Sequence, residues 1–256
     1  MTDEQSHPLR LMVTRPKHLA QALGDQLERM GFEVLQCPCI EIVDTTDAPL
    51  LIKTFGELNR FCALFFVSRN AVLHAIPALQ STGVKLSSQR IFAVGTKTAQ
   101  QLHEAGFTKV IYPQQTSGSE ALIAEDLIAD TTSGEVLIIR GQEGNEALAK
   151  QLIAQGVKVT YAQVYKRQCP HTTFSFRDID AVPDLILLTS KDSLRNLYAM
   201  TAEPSRQRLL SIPLLVGSDS VSELARKIGF NKTIVVAASP ADADIVKAVK
   251  RWADKV

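Results

Sequence analysis

The chain has almost no net charge. Its 256 residues carry 28 Lys and Arg against 27 Asp and Glu, a formal charge of +1. A broad nucleic-acid footprint needs a clustered basic surface, so no nucleic-acid partner is expected. A local anion site built from a few groups stays open. Long apolar runs are missing as well: ALFFV (63–67) and LILL (185–188) fall far short of a membrane span, and no membrane partner is expected. The N-terminal MTDEQSHPLR is polar, with no apolar segment of the kind a secretory signal needs. Cysteines are few: Cys37, Cys39, Cys62 and Cys169. Cys37-Pro38-Cys39 has the wrong spacing for a zinc knuckle and no second pair completes it, which leaves free thiols in a reducing cytosol. No G-x-G-x-x-G follows a strand, no G-x-x-x-x-G-K-[ST] occurs, and no G-x-S-x-G elbow appears. The five histidines show no ligand spacing and read as isolated surface or core residues. Neither a metal nor a cofactor is expected.

What the chain does have is an internal repeat. LMVTRPKHLAQALGDQLERMGFEV (11–34) aligns with VLIIRGQEGNEALAKQLIAQGVKV (136–159), placing Arg15 on Arg140 at an offset of 125 (140 − 15). LFFVSRNAV (64–72) aligns with LILLTSKDSL (185–194), and AVGTKTA (93–99) with LVGSDSV (215–221). Both set the offset at 122 (190 − 68, 217 − 95). Each part runs from a short apolar segment through Gly, Ser or Thr into a segment of helical period. This predicts buried parallel strands alternating with helices, an α/β fold. Thr98, Leu102 and Ala105 share a helix face, with Gly106 at its end. Ser117-Gly118-Ser119-Glu120 predicts the start of a helix through EALIAEDLIA, and Ser239-Pro240 that of the last helix. CPCIEIV (37–43) and AQVYKRQ (162–168) hold equivalent places in the two copies. Ile40 and Ile42 alternate with Cys39, Glu41 and Val43, and Val164 with Tyr165 and Arg167. That alternation predicts a half-exposed two-stranded ribbon hinging two α/β domains.

In open parallel sheets, ligands bind at the carboxyl ends of strands. The repeated glycine-hydroxyl pattern falls there: Ser68, Gly95, Thr96 and Thr98 in one copy, Ser190, Gly217, Ser218 and Ser220 in the other, with Ser117 opening a further helix. Helix N-termini offer free N–H groups and a positive dipole end, hydroxyls add donors, and glycine allows close approach. Taken singly, Ser68, Thr96, Thr98, Ser190, Ser218 or Ser220 is first of all an N-cap contributing ~1 kcal/mol. As a repeated set they suit a ligand with several negative groups. Arg15 and Arg140 each follow a strand and either face the ligand or close a salt bridge.

The order and spacing of these segments resemble the uroporphyrinogen-III synthase family over nearly the whole chain. The resemblance is carried by VTRP (13–16), LGDQLERMGFEVLQCPCIEI (23–42), FFVSRNAV (65–72), IFAVGTKTAQQL (91–102), SGSEAL (117–122), IIRGQEGNEAL (138–148), Val164-Tyr165, LTSKDSL (188–194) and LVGSDSVSEL (215–224). It implies two α/β domains joined by a two-stranded ribbon, one of them discontinuous: 1–36 with 169–256, then 44–162, with 37–43 and 163–168 as the link. It implies a cytoplasmic hydro-lyase that cyclises hydroxymethylbilane to uroporphyrinogen III. The hydroxyl is lost as water and ring D is inverted through a spiro intermediate, without cofactor or metal. A monomer fed by the preceding deaminase is the matching expectation. Ser68, Thr98, Ser190, Ser218 and Ser220 stand where the family has cleft hydroxyls, and Tyr165 on its tyrosine near the hinge. A phenol, protonated at neutral pH, can donate to the leaving oxygen; packing one face of the ribbon is the other role open to Tyr165. No histidine is expected nearby. Two positions depart from the family pattern: Asn145 follows Gly144 where many members have Arg, and Asp219 lies between Ser218 and Ser220. A hinged binding protein without catalysis, and a two-domain transferase of sugar-nucleotide type, are the rival readings. The second lacks its motif.

Overall fold

The computed structural model describes residues 7–45, 47–84, 89–131, 134–176 and 182–256, so the first six residues of the polar N-terminal stretch lie outside it. In chain order the elements begin with β1 (Arg10–Val13), α1 (Lys17–Glu28), β2 (Glu33–Gln36), β3 (Glu41–Asp44) and α2 (Ala48–Gly56). They continue with β4 (Phe61–Phe66), α3 (Arg69–Ser81), β5 (Arg90–Ala93), α4 (Thr96–Glu104), β6 (Val110–Ile111) and α5 (Ser119–Ala124). Next come β7 (Glu135–Gly141), α6 (Ala147–Ala154), β8 (Lys158–Gln168), β9 (Leu185–Leu188), α7 (Lys191–Met200) and α8 (Glu203–Leu210). The chain closes with β10 (Leu214–Val216), α9 (Asp219–Ile228), β11 (Ile234–Val236) and α10 (Asp242–Ala253).

The chain divides into two compact units, Met1–Glu41 with Gln168–Val256, and Ile42–Arg167. The first holds a sheet in the order β11-β10-β9-β1-β2, every pair parallel. The second holds β6-β5-β4-β7-β8, also parallel, with β3 added beside β8. Each sheet therefore takes its first-part strands from one repeat and its second- and third-part strands from the other.

The continuous apolar strands follow from burial on both sheet faces. In the first unit, Leu11, Val13, Leu185, Leu187 and Leu215 pack under α1 and α10, against Leu23, Ile245 and Trp252. Their neighbours Met12, Ile186, Leu188, Leu214 and Val216 turn to the other face, under Leu197 of α7, Leu209 of α8 and Ala225 of α9. In the second unit, Leu64, Phe66, Leu137 and Ile139 meet Phe55, Val72 and Leu102 from α2, α3 and α4. Phe65, Phe92, Val136 and Ile138 meet Leu122 and Leu152 from α5 and α6, with Phe65 stacked on Phe92 at 4.4 Å.

Three local expectations change. The last helix begins at Asp242, two residues beyond Pro240; Ser239 Oγ accepts from the Ala241 N–H at 3.1 Å instead. The helix through EALIAEDLIA stops at Ala124, and Asp126 takes φ 54°, a left-handed conformation that helix cannot continue through. The alternation predicted for the ribbon also fails. In 37–43 it is Cys39 that is buried, and in β8 both Val164 and Tyr165 are buried in succession. A register shift explains the second: Arg140 pairs with Gln163 but Gly141 with Tyr165, so one extra residue on β8 reverses the facing of everything after it.

Candidate site at the strand carboxyl ends

In the second unit, β4, β7 and β8 end around a cavity of about 290 Å³ lined by Ser68, Ser119, Arg140, Gly141, Gly144, Asn145, Tyr161, Tyr165 and Arg167, among others. Ser68 is the extended residue before α3. Its Oγ accepts the Ala71 N–H at 3.0 Å, a helix cap, and lies 3.2 Å from the Tyr165 hydroxyl. The bulge in β8 is what turns Tyr165 toward Ser68. Tyr165 is 4% exposed and its ring packs against Gly141, where an added Cβ would sit 2.7 Å from Cε2 and Cζ. Any side chain at Gly141 would push the Tyr165 ring away.

Arg140 lines the same cavity, but its charge is already engaged. Nη1 donates to Glu146 Oε1 at 2.5 Å, Nε donates to the Gly141 carbonyl at 3.2 Å, and the guanidinium lies 5.1 Å from the Tyr161 ring centre. Gly144 fits against that guanidinium: a Cβ there would meet Nη2 at 2.7 Å. The Tyr161 hydroxyl donates to Glu146 at 2.5 Å, and this bond, ahead of Arg140, holds the Glu146 carboxyl below the usual range. Burial, then Glu146, pushes the Tyr161 phenol up. Asn145 precedes Glu146, the N-cap residue of α6; its Oδ1 accepts the Ala147 N–H at 2.8 Å while Nδ2 donates to Glu120 at 2.6 Å.

Gly95 and Gly217 answer a different need from close approach to a ligand. Gly95 has φ 170°, which any residue adopts, so its backbone conformation is not the reason for glycine. A Cβ at Gly95 would meet Ser117 Oγ at 2.7 Å, and one at Gly217 would meet Pro240 Cβ at 2.9 Å. In each unit the loop after the outermost strand crosses the glycine. Ser117 is thereby brought to Gly95. Thr96 is exposed at the start of α4, whereas Thr98 is buried on its inner face with Ala99 and Leu102.

In the first unit, Arg15 is 8% exposed and donates to Asp242 and to the Pro240 carbonyl. It anchors the loop that covers Gly217, so of the two roles open to the strand-end arginines, both residues close salt bridges. Ser190 caps α7, accepting the Ser193 N–H at 3.0 Å, with Ser193 Oγ at 2.8 Å. Ser218 precedes α9 without a side-chain cap bond, and its Oγ lies 3.2 Å from Ser220 Oγ. Asp219 is exposed in the first turn of α9. Among the described residues, no group of three His, Cys, Asp or Glu is placed to hold a metal ion, and no helix is long and apolar enough to cross a membrane.

One neighbour was missed in the sequence. His74, on α3, packs its ring 5.6 Å from that of Tyr165, and its Nδ1 lies 2.6 Å from Asp44 Oδ1. Three distant segments meet here, and no local pattern connects them.

The family model described as uroporphyrinogen-III synthase HemD matches residues 21–247. The uroporphyrinogen-III synthase of Salmonella typhimurium is 30% identical over 225 residues, 86% of this chain and 92% of that protein. That of Escherichia coli is 28% identical over 229 residues, with the same 86% and 92% coverage. The uroporphyrinogen-III synthetase structure from Helicobacter pylori aligns at TM-score 0.62 and 16% identity, over 95% of this chain and 99% of that one. A mutant uroporphyrinogen III synthase from Thermus thermophilus aligns at TM-score 0.57 and 16% identity, over 97% and 100%. The two structures speak for the two-sheet fold, and the family match runs through nearly all the elements that build it. The chain belongs to the uroporphyrinogen-III synthase family.

Proposed function

We propose that this chain cyclises hydroxymethylbilane to uroporphyrinogen III, with Tyr165 as the proton donor to the departing hydroxyl. The observation that carries the reading is the Ser68–Tyr165 pair at the cavity in the second unit. Ser68 Oγ has one lone pair occupied by the Ala71 N–H, and its own proton is free. Donated to Tyr165 Oη, that proton leaves the phenolic hydrogen directed away from Ser68 and available to the leaving oxygen. The C–O bond then breaks with loss of water, assisted by the pyrrole nitrogen of the bilane. The α-carbon of ring D that already bears the ring C methylene bonds to the carbon freed of its hydroxyl, giving the spiro intermediate. That α-carbon's bond to the ring C methylene then breaks, the methylene bonds to the unsubstituted α-carbon of ring D, and the proton lost there balances the one donated. Because the bilane supplies most of the push, acid assistance at the low end of ~10²–10⁴-fold is enough.

The substrate carries eight carboxylates, and the strand-end hydroxyls and helix N-termini at Ser68, Thr96, Ser117, Ser190, Ser218 and Ser220 are the groups we assign to them. Arg15 and Thr98, both buried, support that frame from behind, as do Gly95 and Gly217 under their covering loops, while Arg140 lines the cavity with its charge held by Glu146. Cys37, Cys39, Cys62 and Cys169 form no disulfide, which fits a cytoplasmic enzyme. We assign it as a monomer that takes the bilane from the deaminase that makes it, because free bilane closes without help to the type I isomer.

Incubation of the purified protein with hydroxymethylbilane, with separation of the type I and type III isomers, tests the reading. Predominantly type III product is expected. Type I alone, at the rate without protein, would leave a binding protein without catalysis.

A further inference from the structure

We propose that His74, held by Asp44, is a positioning residue for Tyr165. The inference rests on the reading of Tyr165 as proton donor. Three contacts define where that phenol points. Gly141 supports one part of the ring, Ser68 meets the hydroxyl at 3.2 Å, and the imidazole of His74 packs beside the ring at 5.6 Å with 35° between planes. That spacing lies in the ~4.5–7 Å range of aromatic pairs that attract. Ser68 and His74 both belong to the α3 segment, one capping it and the other on its second turn, so α3 presents two of the three contacts as one rigid piece.

Asp44 fixes the imidazole. An ionised carboxylate only accepts hydrogen bonds, so the 2.6 Å contact places the proton on His74 Nδ1 and sets the plane of the ring. The Asp44 side chain is 83% exposed, and exposed pairs of this kind add little to stability. Its consequence is orientation. An acid that donates to one oxygen of a mobile tetrapyrrole gains from being held, since an error of about 1 Å in placing a reacting group costs on the order of 10²-fold. His74 does not touch the reacting atoms in this scheme; it acts through Tyr165.

A double-mutant cycle tests this, with kcat and KM for hydroxymethylbilane and the isomer ratio measured for wild type, His74→Ala, Tyr165→Phe and the double variant. His74→Ala should lower kcat about tenfold, as expected for sub-ångström misplacement, with KM unchanged. The double variant should be no slower than Tyr165→Phe alone. Asp44→Ala, which removes the acceptor at an exposed position and leaves folding intact, should lose activity in the same direction and again add nothing to Tyr165→Phe. A loss that multiplies on the Tyr165→Phe background overturns the inference and leaves the tyrosine as donor. Wild-type rates in both His74→Ala and Asp44→Ala overturn it as well. A Tyr165→Phe variant at wild-type rate overturns the donor reading and the inference together.

Discussion

Gly141→Ala should separate activity from stability. Its φ is not in the left-handed region, so the backbone accepts alanine, and the cost is one of space. The new Cβ would sit 2.7 Å from Tyr165 Cε2 and Cζ. Carbon atoms pack at roughly 3.5–4.0 Å, so the ring must recede by about 1 Å. The Ser68–Tyr165 contact, already long at 3.2 Å, does not survive a shift of that size. Overpacking of this kind costs ~1–3 kcal/mol, of which the lower entropy of unfolded alanine returns ~0.4–1. The fold should remain, with a modestly lower Tm. Activity should fall further, on the order of 10²-fold, with a rise in type I product as unconverted bilane closes by itself. Gly95→Ala is the contrast: its Cβ meets Ser117 Oγ, also at 2.7 Å. It should lower Tm and raise KM by displacing Ser117, while kcat at saturating bilane falls far less than in Gly141→Ala. A Gly141→Ala enzyme within twofold of wild type, at an unchanged ratio, would refute the placement of Tyr165.

Glu135 gives a pH test. Arg60, followed by Thr160, lowers its carboxyl to about 2, below the unfolded value of roughly 4.3. A depressed carboxyl stabilises above the unfolded value and loses its effect as pH falls toward the folded one. Glu135→Gln should therefore lower stability at neutral pH, and the difference from wild type in denaturant titrations should shrink between about pH 5 and pH 2; a constant difference contradicts the ion pair. Chelators should leave the rate unchanged, and loss of activity with EDTA restored by a divalent ion would contradict the metal-free reading. Ser190→Ala removes the cap on Ser193 N–H and should cost ~1 kcal/mol of stability, measured by urea unfolding.

The strands were legible because both sheets are covered on both faces, so each strand is written as an unbroken apolar run. The repeat then located the strand ends. The glycine-hydroxyl pattern marked real helix starts, but its glycines were misread. What excludes a side chain at Gly95 is Ser117, and at Gly217 it is Pro240, contacts made only when a later loop crosses the strand end. The acidic partners of Arg15 and Arg140, Asp242 and Glu146, were equally silent. The facing of Tyr165 could not be read by alternation, because the bulge in β8 adds a residue that its partner strand lacks. His74 escaped because a histidine two turns into a helix carries no local mark of the aspartate and tyrosine it will meet.

The account depends most on the Tyr165 hydroxyl, and the single-turnover rate of type III formation by Tyr165→Phe tests it most directly. The variant keeps the ring against Gly141 and His74, so thermal stability should change by no more than about 1 kcal/mol, the worth of one hydrogen bond. The rate should fall ten- to a hundredfold, roughly the lower end of general-acid assistance, and the type I fraction should rise. A Phe variant that matches wild type in rate and isomer ratio would mean that Tyr165 only packs the core of the second unit, and that the proton comes from another group.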